Sequence, residues 1–361
     1  MEREPGLRLS KAGEARLRDL IRDAIESRQA RGAVLALGDS RRTFYCRAFG
    51  LAQVAPRRPM RTDTIFDLAS LTKPIATTPS IMLLVESGRL LLSDSVSRYL
   101  PSFARGKRAE ITIHHLLTHT SGLPALAEPG QARNLAQAAE RIARLRLLAE
   151  PGSTVRYSDL GFMLLAEVVR ALSGEGLDRF AARRIFGPLG MRDTVFNPPP
   201  SLASRCAAVE PGSGNVVVGR VSDPLAAGMG GVSGHAGLFS TARDLAIFAR
   251  MILNHGLHRN RRILGSASER AMTSPQVEIA GEKRGLGWDI HTAYSSPRGD
   301  LLSPVSFGHT GYTGTSIWID PEMGLFVILL TNWVRRGGAG NANRLRGLVA
   351  NVAAAHVERR A

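Results

Sequence analysis

Apolar residues recur at helical spacing between Ser10 and Ala30, where Leu17, Leu20, Ile21, Ala24 and Ile25 share one face. The period then changes. Gly32 to Gly38 is a short apolar run that reads as a strand, and Thr43 to Phe49 reads as its hairpin partner. A polar, proline-rich stretch, Pro56 to Thr64, follows. Helical patterns dominate from there to about Asn254. They cover Ile75 to Ser87, Ile113 to Thr118, Gln131 to Leu148, Gly161 to Leu172 and Ala242 to Leu253. The last has Thr241 as an N-cap with Asp244 three residues on, and Leu245, Phe248, Ala249 and Ile252 on one face. Strand patterns return after about Leu286. Thr315 to Ile319 and Leu325 to Leu330 predict a hairpin turned at Asp320-Pro321-Glu322-Met323-Gly324, and a helix is expected from about Asn343 to Val357.

Strands at both ends with helices between them predict an α+β fold. The expected architecture is a mostly antiparallel sheet flanked by helices, plus a mostly helical lobe. One domain over 1–361 is expected, with the sheet lobe at about 10–66 and 265–361 and the helical lobe at about 67–264. Asn197 to Pro200 and Glu210 to Gly214 read as loops.

Composition changes this picture little. The chain is 44% hydrophobic and 22% charged, as expected of a globular protein. The formal net charge of +16 raises the question of an anionic partner. Yet the basic residues are arginines met singly or in scattered pairs such as Arg41-Arg42 and Arg183-Arg184. Dispersed charge of this kind is a solvated surface, so no nucleic-acid partner is expected. The lysines are Lys11, Lys73, Lys107 and Lys283. In a chain that uses arginine almost everywhere, a retained lysine needs a reason, and only lysine readily loses its proton when desolvated. Cys46 and Cys206 form neither a disulfide framework nor a zinc motif. Met1 to Ala30 has no apolar h-region, and no apolar run reaches membrane-spanning length. A cytoplasmic enzyme without a membrane span is the expectation.

The sharpest chemical signal is Phe66-Asp67-Leu68-Ala69-Ser70-Leu71-Thr72-Lys73-Pro74. Residues three apart share a helix face, so the Ser70 hydroxyl and the Lys73 amine come within reach of each other. A serine near a helix N-terminus also sits in a potential that favours a developing oxyanion. Tyr157-Ser158-Asp159 follows the Pro151-Gly152 turn, and a phenol on a loop can pass a proton between nucleophile and leaving group. Gly308-His309-Thr310-Gly311-Tyr312-Thr313-Gly314 opens the late hairpin, where glycines let another backbone or a ligand approach. Each motif alone also has a structural explanation: a helix, a satisfied core tyrosine, a bulge. His115 and His119 have the spacing of a zinc pair, but Leu116 stands where a metalloprotease glutamate would follow. No metal and no cofactor is expected. There is no Gly-x-Ser-x-Gly elbow, no phosphate loop and no dinucleotide fingerprint.

Taken in order, these motifs resemble the serine hydrolases of the class C β-lactamase group, with its related D,D-peptidases, D-aminopeptidases and esterases. The resemblance also runs through Ile111 to Pro124, Tyr157 to Phe162 and Gly237 to Ala242. It implies a β-lactamase/transpeptidase-like fold and an acyl-enzyme. Ser70 is then the acylated residue, with Lys73 and Tyr157 sharing acid and base work. The backbone N–H groups of Ser70 and Tyr312 form the oxyanion hole. Asp159, His309, Thr310, Gly311 and His235 are candidate substrate contacts. For His235, set among glycines at 230–237, a structural role is as good a reading.

Two positions depart from the family pattern. Asp159 stands where the family usually has asparagine. A carboxylate near Lys73 raises the lysine pKa. Either Asp159 turns away, or Lys73 works as a cation and Tyr157 accepts the proton; the second is expected. His309 stands where β-lactamases have lysine, and a histidine offers no fixed charge to a substrate carboxylate at neutral pH. Esters, amides or other small D-amino-acid-containing molecules are therefore the expected substrates. A β-lactamase or D-Ala-D-Ala carboxypeptidase is the alternative, and a non-catalytic scaffold on the same fold is the alternative of another class. Loops at Asn215 to Ala227 and Ser295 to Ser306 are expected to shape the acyl pocket.

Overall fold

A computed structural model describes residues 6–126, 132–210, 216–293, 297–332 and 340–359. Gln131, Asn215, Ser295, Ser296 and the loop 211–214 lie outside the described residues.

The sheet comes from the two ends of the chain. Its strands are β1 (Gly32–Gly38), β2 (Thr43–Gln53), β3 (Arg58–Pro59), β4 (Val277–Ile279), β5 (Glu282–Arg284), β6 (Asp289–His291), β7 (Phe307–Thr310), β8 (Ser316–Asp320) and β9 (Leu325–Thr331). Among the described residues they form a nine-stranded antiparallel sheet in the order β4-β5-β6-β7-β8-β9-β1-β2-β3. The join is β9 on β1, in register from Phe326↔Gly38 to Thr331↔Ala33. All seven residues of β1 are buried, because both faces are covered. Side chains alternate across the sheet. Val34 and Ala36 pack with the helical lobe, while Ala33, Leu35 and Leu37 pack on the other face.

The principal helices are α1 (Lys11–Glu26), α2 (Thr78–Glu86), α3 (Ile113–Leu117), α4 (Leu135–Ile142), α5 (Asp159–Ser173), α6 (Ala242–Leu253) and α7 (Gly340–His356). Helices α1 and α7 cover the outer face of the sheet. Leu17 and Ile21 of α1 meet Val349 and Ala353 of α7 there. Ser10 ends α1 as expected of an N-cap, its hydroxyl accepting from the Gly13 N–H at 3.1 Å. Helix α5 is buried along most of its length in the lobe on the other face. Leu7–Leu9 pairs with Val357–Arg359, so residues near the two ends lie side by side.

Several expectations shift. The helix expected over 131–148 contracts to Leu135–Ile142. Strand pairing begins at Val277, before the expected Leu286. The helical lobe also holds a three-stranded sheet of Phe66–Asp67, Leu238–Ser240 and Val195–Phe196. These strands are too short to show a period in the sequence.

Candidate active site

The chain enters the site along Phe66–Asp67, which pairs with Leu238–Ser240. Asp67 is buried. One carboxylate oxygen accepts from the Ala69 N–H at 2.9 Å, and the other accepts from the Ser222 N–H and hydroxyl, both at 2.8 Å. Burial pushes its carboxyl upward. That anchor holds Ala69 at φ 48°, a left-handed conformation that costs energy for a residue with a side chain. The strained turn presents Ser70. It sits in a short 3-10 turn, Ala69–Leu71, followed by a π-helical turn, Lys73–Thr77, rather than in a regular α-helix. Wide turns of this kind recur at functional sites.

The Lys73 amine is buried and makes three contacts. Its Nζ lies 3.0 Å from Ser70 Oγ, 2.6 Å from Asp159 Oδ1 and 3.2 Å from the His235 carbonyl oxygen. Three acceptors take up the three N–H bonds of an ammonium. Burial alone pushes the Lys73 pKa down, but the Asp159 carboxylate and the Tyr157 phenol outweigh it and the net shift is upward. Asp159 thus faces Lys73, and the lysine rests as a cation. Of the two arrangements expected for Asp159, this geometry has it facing Lys73 rather than turned away.

Tyr157 precedes α5 and closes the cluster beside Lys73 and Ser70. The Lys73 Nζ lies 4.8 Å from the centroid of its ring. Burial pushes the phenol upward, and Lys73 only partly counters this, so Tyr157 rests protonated.

The wall opposite is β7. Its end approaches the nucleophile segment closely: a Cβ on Gly311 would stand 2.5 Å from the Leu68 carbonyl oxygen. Beyond it, Thr313 donates to the Asp67 carbonyl at 2.7 Å and Thr315 to the Leu68 carbonyl at 3.1 Å. The turn that carries Tyr312 is thereby tied to the segment that carries Ser70. The Tyr312 side chain is 63% exposed, so its backbone rather than its ring is held by the fold. Thr310, at the strand end, is half-buried. His309 is buried, and its Nδ1 donates to the Thr310 carbonyl at 2.7 Å. Burial, then Lys73 and Arg284, push its pKa well below the ordinary value. It is a neutral imidazole whose Nε2 is left as an acceptor.

His235 lies under the site rather than in its mouth. One ring nitrogen is 2.9 Å from Asp223 Oδ1 and the other 2.8 Å from Ser233 Oγ, while its carbonyl receives Lys73.

Sequence reasoning missed three residues. His119 was set aside with the zinc pair. Its ring stacks on Tyr157 with centroids 4.5 Å apart, and its Nδ1 accepts from the Ser158 N–H at 3.0 Å. Burial, then Arg284 and Lys73, keep it neutral. Arg284, at the end of β5, is wholly buried with its Cζ 5.9 Å from the Tyr157 ring centroid. None of its guanidinium nitrogens has a hydrogen-bond partner among the described residues. Asp67 was quoted in the motif but given no role. Only for Asp67 was there a signal, an acidic residue two positions before a strained turn. Among the described residues no group of three or more His, Cys, Asp or Glu side chains could hold a metal, and no helix is long and apolar enough to cross a membrane.

A family model described as Beta-lactamase matches residues 17–351. A relative from Escherichia coli (strain K12), named "Putative D-alanyl-D-alanine carboxypeptidase", is 34% identical over 328 residues, covering 80% of this chain and 75% of the relative. Among solved structures, "EstCE1, a hydrolase with promiscuous acyltransferase activity" superposes with a TM-score of 0.78 at 24% identity, covering 96% of this chain and 100% of the other. "A class C beta-lactamase" superposes with a TM-score of 0.79 at 19% identity, covering 94% and 96%.

Proposed function

Since the chain belongs to the Beta-lactamase family of hydrolases, we propose that Ser70 is its nucleophile, acylated by esters or by amides of D-amino acids and then freed by water. The observation that carries this reading is the 3.0 Å contact between Ser70 Oγ and the buried Lys73 Nζ in a part-buried cluster shared with Tyr157 and Asp159. Nucleophile and proton-handling groups within hydrogen-bond reach are what covalent catalysis needs. The backbone N–H groups of Ser70 and of Tyr312 are the proposed donors to the oxyanion. Lys73 and Tyr157 share the acid and base work.

His309 favours the choice of substrate. A neutral imidazole with Nε2 as an acceptor offers nothing attractive to a carboxylate. It suits a substrate that brings an N–H or O–H to that point. Thr310 and Gly311 line the same strand end. The name of the Escherichia coli relative favours a second reading, in which the chain releases D-alanine from D-Ala-D-Ala peptides.

Active-site labelling tests the reading. A fluorophosphonate is expected to label the native chain, and Ser70→Ala to abolish the label. Turnover of a simple p-nitrophenyl ester is expected to exceed that of a chromogenic cephalosporin. Labelling by a fluorescent penicillin together with release of D-alanine selects the second reading. Label from neither reagent returns the chain to the scaffold class.

A further inference from the structure

Ser70 must lose a proton to attack, and both Lys73, 3.0 Å from its oxygen, and Tyr157 beside it rest protonated, as an ammonium and a phenol. The acceptor therefore has to lie one group further on. Around the Lys73–Asp159 pair stand Tyr157, His119, His309 and Arg284 on one side and the His235–Asp223 pair on the other. His119 and His309 are weak bases in this setting, pushed well down by burial and cations. Asp223 is held by His235 and by the Ala226 N–H, at 2.9 Å and 2.8 Å. Asp159 is different. Its Oδ1 lies 2.6 Å from Lys73 Nζ, a short charge-assisted contact, and Nζ lies 3.0 Å from Ser70 Oγ.

We infer that Asp159 is the terminal proton acceptor of acylation, reached through Lys73. The inference rests on the reading of Ser70 as the nucleophile. In the forward step the Ser70 O–H bond breaks and its proton passes to Nζ, while Nζ passes a different proton to Asp159 Oδ1. The electron pair on Oγ forms the bond to the substrate carbonyl carbon, and the carbonyl π pair moves to its oxygen. On collapse, the bond to the leaving group breaks. The leaving group takes the Tyr157 proton, Tyr157 takes one from Lys73, and Lys73 recovers one from Asp159. The net result is that the Ser70 proton departs on the leaving group, while Lys73, Tyr157 and Asp159 end as they began.

Burial makes the transfer feasible. Lys73 is wholly buried and Asp159 only 15% exposed, and separated charges are costly in such surroundings. Relayed through Lys73, which keeps its own charge, the Ser70 proton neutralises the buried carboxylate at the moment when the oxyanion forms, so the number of charges in the site does not rise. An amide at position 159 could not take that proton.

The test uses a p-nitrophenyl ester, whose leaving group needs no proton, so that acylation alone is read. In the native chain the rate of acylation is expected to hold from neutral pH well down into the acid range. In Asp159→Asn, acylation at neutral pH is expected to fall about 100-fold, the scale of losing a general base. Its acidic limb should move up by about two units or more, since amine and phenol both ionise above neutrality. Asp159→Glu, which keeps a carboxylate, should retain the native limb. A limb that moves down in Asp159→Asn overturns the inference, because it makes Lys73 or Tyr157 the base that Asp159 was restraining. An unmoved limb overturns it as well. Should both variants fail to fold, a native limb lying above neutral pH overturns it without them. Persistence of the fluorophosphonate label in Ser70→Ala would instead refute the nucleophile itself.

Discussion

A guanidinium with no acceptor among the described residues, buried beside a phenol and near two imidazoles, acts on them through its field. Arg284 is named by burial and position as one of the cations that keep His119 and His309 neutral. Replacing it with methionine removes a buried charge and keeps most of the volume. The imidazole pKa values of both histidines are expected to rise in Arg284→Met, followed by NMR titration of the ring protons. Values equal to those of the native chain would mean that Arg284 exerts no field at the site. This residue also shows how much of the site was legible. Ser70 and Lys73 declared themselves because three residues on one turn is a local relation. Tyr157 and the 309–311 segment followed because their order matched a known pattern. Arg284 and His119 did not, because only tertiary packing brings them to the Tyr157 ring. The departure at Asp159 was legible as a difference in residue type, but its direction, toward Lys73, needed the fold.

Elements hold the turn that carries the proposed oxyanion donor of Tyr312. Helix α7 reaches across to the β7–β8 turn through Arg346, whose Nη2 donates to the carbonyls of Gly311 at 2.7 Å and Thr315 at 3.0 Å. Burial lowers the Arg346 pKa to about 9. Its loss leaves two buried carbonyls unpaired and frees the turn that holds the Tyr312 N–H. In Arg346→Met, kcat for an ester is expected to fall by about 10- to 100-fold with KM little changed, as a displaced oxyanion donor acts on the transition state. Arg346→Lys keeps one donor and should fall between. Steady-state kinetics beside a thermal melt separates this from simple unfolding; unchanged kcat would sink it. Elements were read best where a cap and a wide apolar face coincide. Helix α6 begins and ends where its pattern does, since Thr241 accepts from the Asp244 N–H at 3.2 Å. Helix α4 is shorter than its pattern, and Ala132, Ala143, Leu145 and Leu147 join the core from outside it. Strands β4 and β5 escaped because Val277–Ile279 and Glu282–Arg284 lie at the sheet edge and carry charged residues.

For the whole molecule, the neutral buried histidines set a limit on acid stability. The folded pKa values of His119 and His309 lie below the unfolded value of about 6.5. The unfolded chain therefore binds more protons as the pH drops below that value, and stability present above it is lost on the way down. Each histidine contributes a slope of about 1.4 kcal/mol per pH unit. Asp67 and Asp244, pushed upward by burial, work in the opposite sense at lower pH. The comparison therefore belongs between about pH 7 and pH 5.5, by urea melts. A flat profile there would mean that the two rings take up protons without cost to the fold.

The pairing of β9 with β1 has one more consequence, which concerns synthesis. The ribosome makes β1 and the Ser70 segment early, and β7, β8 and β9 late. Until β9 arrives, β1 has only β2 beside it, and Ser70 has no facing wall and no Tyr312 N–H. An unfinished chain therefore carries every residue of the Ser70–Lys73–Tyr157–Asp159 cluster, yet it has no cleft in which a substrate could be held. Hydrolytic activity becomes a property that switches on only after β9 has been made, and it marks a chain that has been read through that strand.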